Sequence, residues 1–126
     1  MISPLTAHKA VALSLTALVL TLSAACEFPC EENRELAETY IEVAVERNQR
    51  CSFDEDCINV TIVTNCGNFC THAINQDGIG NIDQAIETVN QSWCTDFSEA
   101  GCIAEPDCIA PDRARCEQGM CVNYLM

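Results

Sequence analysis

Basic residues are nearly missing from this 126-residue chain. Its single lysine, Lys9, lies near the N-terminus. From Cys26 onward five arginines (Arg34, Arg47, Arg50, Arg113 and Arg115) face all 19 acidic residues. Proteins hold nucleic acid and anionic headgroups largely by neutralising phosphates with Lys and Arg, so this balance argues against nucleic-acid binding. A CxxC spacing is absent as well, and with it the usual knuckle of zinc sites and the motif of thiol oxidoreductases. No metal and no cofactor are expected. Beyond Cys26 the only histidine is His72, and Ser52, Ser92 and Ser98 sit in no nucleophile motif. A Ser–His or Cys–His mechanism would rest on His72 alone, two residues after Cys70. A domain of roughly 100 residues with its core taken up by cross-links leaves little room for a deep pocket, so the chain is expected not to be an enzyme.

What the chain has instead is cysteine: eleven residues, irregularly spaced. In so short a chain this points to a disulfide scaffold and an oxidising compartment. The organising stretch is Cys51–Cys70. It contains the clearest strand, with Ile58, Val60 and Ile62 alternating against Asn59, Thr61 and Val63, and cysteines bracket it on both sides.

Residues 1–25 read as an export signal. His8 and Lys9 precede an uncharged run from Ala10 to Cys26 that ends in the small residues of LSAAC. That run is 17 residues long, short of the ~20 needed to cross a bilayer, and glutamates rather than basic residues follow it. The LSAAC junction resembles the bacterial lipobox, although Leu22 lies one position further upstream than usual, with Ser23 in its place. The resemblance implies a diacylglycerol on Cys26 as the mature N-terminus, with residues 26–30 as anchor and linker. Ordinary signal peptidase would cut the same bond. Parity separates the outcomes: lipidation of Cys26 leaves ten thiols, an even set, whereas simple cleavage leaves one unpaired. The disulfide set is then Cys30, Cys51, Cys57, Cys66, Cys70, Cys94, Cys102, Cys108, Cys116 and Cys121. Ten cysteines allow roughly 945 full pairings, and spacing does not choose among them.

The domain itself is expected over residues 31–126. An acidic helix is predicted from Glu31 to Arg50, with Leu36, Tyr40, Val43, Ala44 and Arg47 on one face and Ala37, Ile41 and Val45 widening it. Cys51 continues that row and is expected to face inward. Asn65–Asn68 marks a reversal. A second helix is predicted over Ile82–Trp93, capped by Asn81 with Gln84 at the capping-box position. Arg113–Tyr124 reads as a hairpin turning at Gln118–Gly119, which sets Cys116 opposite Cys121. These two cysteines either bond across the hairpin or bond separately elsewhere. The expected fold class is α+β: a small disulfide-rich domain whose short antiparallel sheet, of about three strands, is made by Ile58–Thr64 and the hairpin. Two helices should cover it through Leu36, Tyr40, Ile86, Val89 and Trp93.

Two acidic motifs invite a cation reading. Asp54, Glu55 and Asp56 are three adjacent carboxylates, read here as a polar turn. Asn75–Glu87 resembles an EF-hand calcium loop at Asn75, Asp77, Gly80 and Ile82. It departs from that pattern at Ile79 and Ile86, where ligand oxygens belong, and is read as a turn feeding the second helix. Asn59 and Asn90 begin N-x-S/T sequences that would matter in a eukaryotic secreted protein. In overall character the chain resembles cysteine-rich bacterial lipoproteins. That resemblance implies a lipid-tethered binding or envelope-structural module, membrane-associated through its anchor, in the cell envelope at the outer membrane (Glu27 is not the aspartate that retains lipoproteins in the inner one), facing the periplasm or the surface. The alternative is a secreted inhibitor or effector acting on a protein partner through a tied loop such as Glu105–Pro111.

Overall fold

The computed structural model describes residues 28–104 and 108–125. Its centre is strand β1 (Cys57–Thr64), which pairs antiparallel with β2 (Gly67–Asn75). Helix α1 (Cys30–Arg47) precedes this pair, and α2 (Ile79–Ser92) follows it through a 3-10 turn at Gln76–Gly78. A second hairpin, β3 (Arg113–Glu117) and β4 (Met120–Tyr124), closes the chain. The class is α+β, with two helices, short antiparallel sheets and five disulfides.

The expected single sheet is instead two. Among the described residues β1 pairs only with β2, and β3 only with β4. The C-terminal hairpin packs on the face of β1–β2, β3 near β1 and β4 near β2, while both helices cover the opposite face. The alternation of β1 explains this three-layer arrangement. Ile58, Val60 and Ile62 meet the helical core, whereas Cys57 faces a small cluster with Ala73 and Cys121 beneath the hairpin. The second face of β1 is mostly polar, with Asn59 and Thr61, and the hairpin covers it through Cys57 and through the Asn59 and Asn123 side-chain bonds to Pro111 O and Thr71 O.

β2 is not legible in the sequence as a strand, and a bulge is the reason. Thr61 pairs with Thr71 and Val63 with Asn68, so Ile62 stands opposite two residues, Phe69 and Cys70. Cys70 takes φ 68°, and its N–H is received by the Asn68 side chain at 2.8 Å. The extra residue breaks the period of two, bringing Phe69 into the core that also holds Ile74. His72 is spent here as well, its Nε2 lying 2.8 Å from the Phe69 carbonyl oxygen. At the β1–β2 reversal the Thr64 hydroxyl accepts from the Cys66 N–H and donates to the Gly67 carbonyl, both at 3.1 Å.

α1 departs from expectation in its end and its face. It stops at Arg47, because the Asn48 side chain turns back to donate to the Ala44 carbonyl at 2.7 Å. Gln49 and Arg50 then leave the helix and meet the C-terminal hairpin, through Cys121 N–H to Gln49 O at 2.7 Å and a bridge from Arg50 to Met120. Cys51 is therefore not part of the helical row. The buried row is Ala37, Ile41 and Val45, while Leu36 and Tyr40 remain 43% and 41% exposed. Burying Ile41 and Val45 removes only carbon from water; burying the Tyr40 row would also desolvate a phenol and the Arg47 guanidinium.

α2 begins at Ile79, so Asn81 lies inside it and caps nothing. Gly78 precedes α2 without a side-chain cap, and Asn75 instead caps the 3-10 turn before it, its Oδ1 accepting from the Asp77 N–H at 2.9 Å. Ile82, Ala85 and Val89 are buried, with Ile86 and Trp93 half-buried beside them. Phe97, beyond the helix, is buried as well, its ring edge-on to Phe28 at 6.4 Å.

Candidate functional site

The disulfides are Cys30–Cys102, Cys51–Cys116, Cys57–Cys121, Cys66–Cys94 and Cys70–Cys108. Cys116 and Cys121 do face each other across the hairpin, with Glu117 opposite Met120 as the sequence predicted. They bond separately, however, each to the Cys51–Cys57 segment. Five disulfides belong to an oxidising setting, outside the cytoplasm or outside the cell. No helix among the described residues is long and apolar enough to cross a membrane. Cys26 and the predicted export signal lie outside the described residues.

The two cation motifs are occupied with structure. The Asp54 carboxylate accepts the Cys116 N–H at 2.9 Å, tying the turn to β3. Asp56 accepts from Ser52 N–H at 2.8 Å and Phe53 N–H at 3.0 Å, and these two bonds hold its carboxyl below the ordinary range. The EF-hand-like loop does not form: Asn75 gives its amide to Arg50 O at 2.8 Å, and Ile79 already opens α2. The asparagines of the two glycosylation-like sequences are engaged too. Asn59 donates to Pro111 O at 3.3 Å, and Asn90 accepts the Asn65 N–H at 2.7 Å.

Among the clefts of the described residues is a groove between the helices, about 310 Å³ in volume. The helices run antiparallel there. At one end the Asn81 amide donates to Asn48 Oδ1 at 2.8 Å; at the other the rings of Tyr40 and Trp93 lie 5.6 Å apart, tilted by 52°. Between them stand Val43, Ala44 and Ala85, with Arg47 and Gln84 on the rim side of the polar end. None of the eight lining residues is acidic. That is unusual on a helix carrying Glu31, Glu32, Glu35, Glu38, Glu42 and Glu46. The groove therefore offers a trough of mixed character, apolar at Val43, Ala44 and Ala85 and polar at Arg47, Asn48, Asn81 and Gln84, flanked by an aromatic pair and free of carboxylates.

Sequence reasoning finds the row Leu36–Tyr40–Val43–Arg47 but turns it inward. It misses Asn48 altogether, although an Asn just past an apolar helical pattern is a stop signal. Asn48 joins four pieces: it caps α1, holds α2 through Asn81, receives the Asn75 N–H at 2.7 Å and packs against Gly78. Compared with protein families, curated proteins and solved structures, the chain matches none.

Proposed function

We propose that this chain is a lipid-tethered, non-enzymatic binding module of the cell envelope, and that the interhelical groove is its contact surface. The observation that carries the reading is the carboxylate-free trough of Tyr40, Val43 and Arg47 on a strongly acidic helix. Three half-exposed apolar side chains, Leu36, Tyr40 and Val43, share that side of α1. Charge complementarity points to a protein segment that offers an apolar side chain to the trough and a carboxylate to Arg47. The tether follows from the LSAAC junction and cysteine parity. Only residues 27–29 separate Cys26 from α1, a leash of roughly 14 Å at full extension, so the module would ride close to the bilayer, on the periplasmic side or at the surface.

A photo-crosslinking amino acid at Val43, placed in the intact protein in its producing cells, tests the contact. A discrete adduct is expected from Val43 and not from Thr39, and Arg47→Glu should remove it. Equal labelling from both positions, or none from either, refutes the groove as contact surface. Intact mass of membrane-extracted protein tests the tether separately, since an unmodified Cys26 in a water-soluble product would overturn it.

The tied loop supports a second reading, a secreted inhibitor or effector. Cys102 and Cys108 are anchored to Cys30 and Cys70, and the next residues, Ile103 and Ile109, are 77% and 79% exposed. Release into the medium with loss of partner binding in Ile109→Asp would favour this reading over the first.

A further inference from the structure

Two of the five bridges lie against each other. Cys51–Cys116 and Cys57–Cys121 both join the Cys51–Cys57 segment to the β3–β4 hairpin. The Sγ of Cys51, from the first bridge, lies within 4.8 Å of both sulfurs of the second, Cys57 and Cys121. Cys116 and Cys121 are also directly opposite in the hairpin. Their N–H groups go to Asp54 and to the Gln49 carbonyl rather than to each other, which marks a non-hydrogen-bonded pair, the kind whose side chains approach closest. Cys51, Cys57 and Cys121 thus each have a second sulfur close by, and Cys116 faces Cys121 across the hairpin. The present bonds run between the two segments; the alternative bonds, Cys51–Cys57 and Cys116–Cys121, would run within them. Exposure divides the bridges as well: Cys57 and Cys121 are buried, while Cys51 and Cys116 are partly open to solvent.

We propose that these four cysteines form a thiol–disulfide exchange site whose co-substrate is a small external thiol. Its thiolate attacks Cys116 Sγ, forming a mixed disulfide there and expelling the Cys51 thiolate. That thiolate attacks Cys57 Sγ, makes the Cys51–Cys57 bond and releases the Cys121 thiolate. Cys121 in turn attacks Cys116 across the hairpin, closes Cys116–Cys121 and returns the external thiolate. Two bonds between the layers have become two bonds within them. No electrons are gained or lost, and the thiol is regenerated. The order follows from access: the outer bridge is the one a thiol can reach, and the thiolate it frees on Cys51 already lies beside the buried bridge. The consequence is mechanical, because the hairpin loses both covalent ties to the β1–β2 face.

The arginine positions give a direct readout. Trypsin cleaves after Arg50, Arg113 and Arg115, so the peptide Cys116–Met126 stays attached to the Cys51–Arg113 peptide in the present pairing. In the exchanged pairing it comes free with its own internal bond. The intact oxidised protein is incubated anaerobically with a sub-stoichiometric small thiol such as glutathione, alkylated, denatured and digested. The expected result is free Cys116–Met126, unalkylated and two hydrogens lighter than its reduced form. Its rate of appearance should rise about tenfold per pH unit below the pKa of the thiol. If the peptide stays attached, or comes free only with alkylated cysteines, the proposal is overturned. In a Cys51→Ser/Cys116→Ser double variant the same thiol should leave Cys57–Cys121 closed. Opening of that bridge as fast as in the native protein would refute the relay through Cys51.

Discussion

Replacing Gly78 by alanine should destabilise the domain, and replacing Gly80, two residues on, should not. Nothing in the backbone angles of Gly78 forbids a side chain, since φ is −88° and ψ is −1°. What forbids it is Asn48. A Cβ at Gly78 would sit 2.7 Å from Asn48 Cβ and Oδ1 and 2.9 Å from its Cγ. The amide could swing away, but Cβ is fixed to the backbone, so the end of α1 must move. Asn48 would then weaken its bonds to Ala44 O, 2.7 Å, and Asn81 Nδ2, 2.8 Å, and strain the one its carbonyl receives from Asn75 N–H, 2.7 Å. Two or three such bonds at about 1 kcal/mol each exceed the ~0.4–1 kcal/mol that Gly→Ala returns by restricting the unfolded chain. The net loss is about 2 kcal/mol, or roughly 10 °C in Tm for a domain of this size. A Cβ at Gly80 meets nothing within 4 Å, and there alanine should add ~0.5–1 kcal/mol. Thermal and urea unfolding of the two oxidised variants, followed by circular dichroism, should displace the transitions in opposite directions. A Gly78→Ala protein as stable as Gly80→Ala would mean that Asn48 does not hold the helix ends together.

The rotation of α1 predicts that Ile41→Ala costs ~2–5 kcal/mol while Tyr40→Ala costs under ~1 kcal/mol and mainly alters Trp93 emission; similar losses of stability would restore the inward-facing Tyr40 row. Gln118 holds φ 52° in the β3–β4 turn, where Asn is better tolerated, so Gln118→Asn should raise Tm by a few degrees, and a fall would argue against a primed turn. The carboxyl of Asp56 is held below its ordinary 3.8 by the Ser52 and Phe53 N–H groups. A depressed acid contributes stability above its unfolded pKa and loses it as pH falls through the folded value. Between pH 6 and pH 2 the native protein should therefore lose more Tm than Asp56→Asn does, and equal losses would leave that turn without a pH role.

Much of the frame is legible in the amino-acid sequence. β1, the second helix and the register of the C-terminal hairpin all rest on local periods or turn chemistry, and all three are present. The failures share a cause, which is that each depends on a partner distant in the chain. The side of α1 that turns inward is decided between two adjacent rows, and the wholly aliphatic Ala37–Ile41–Val45 row is preferred over the one that carries the Tyr40 phenol and Arg47. β2 is hidden by a one-residue bulge at Phe69–Cys70, because period-two reasoning cannot survive an odd step. The hairpin is expected at the edge of β1 and lies on its face; a sequence carries the apolar character of a strand but not the direction from which cover arrives.

The candidate groove and the disulfide pairing are opaque for a related reason. Tyr40 and Val43 are visible as an apolar row, but a row becomes a site only when a second helix stops short of covering it. The groove over Val43 is bounded by two contacts between the helices, Asn81 to Asn48 at one end and Trp93 against Tyr40 at the other, and neither is visible in the sequence of α1 alone. The bridges follow the layers in the same way. None joins two residues of one hydrogen-bonded strand pair; each ties an element to something that packs across it, such as Cys66 at the β1–β2 reversal to Cys94 behind α2. The two bridges under the C-terminal hairpin are also not worth twice one. Closing a loop of about 65 residues is worth ~4 kcal/mol in the chain-entropy account, but once the first bridge is made the second closes only about a dozen residues and adds ~3. The hairpin needs both, because the apolar cluster beneath it is only Cys57, Ala73 and Cys121, against the broad core of Ile41, Ile62, Ile74, Ile82, Val89 and Phe97 on the helical side. Covalent ties are doubled where the core is thinnest, so the hairpin is the layer whose attachment depends most on which cysteines are paired.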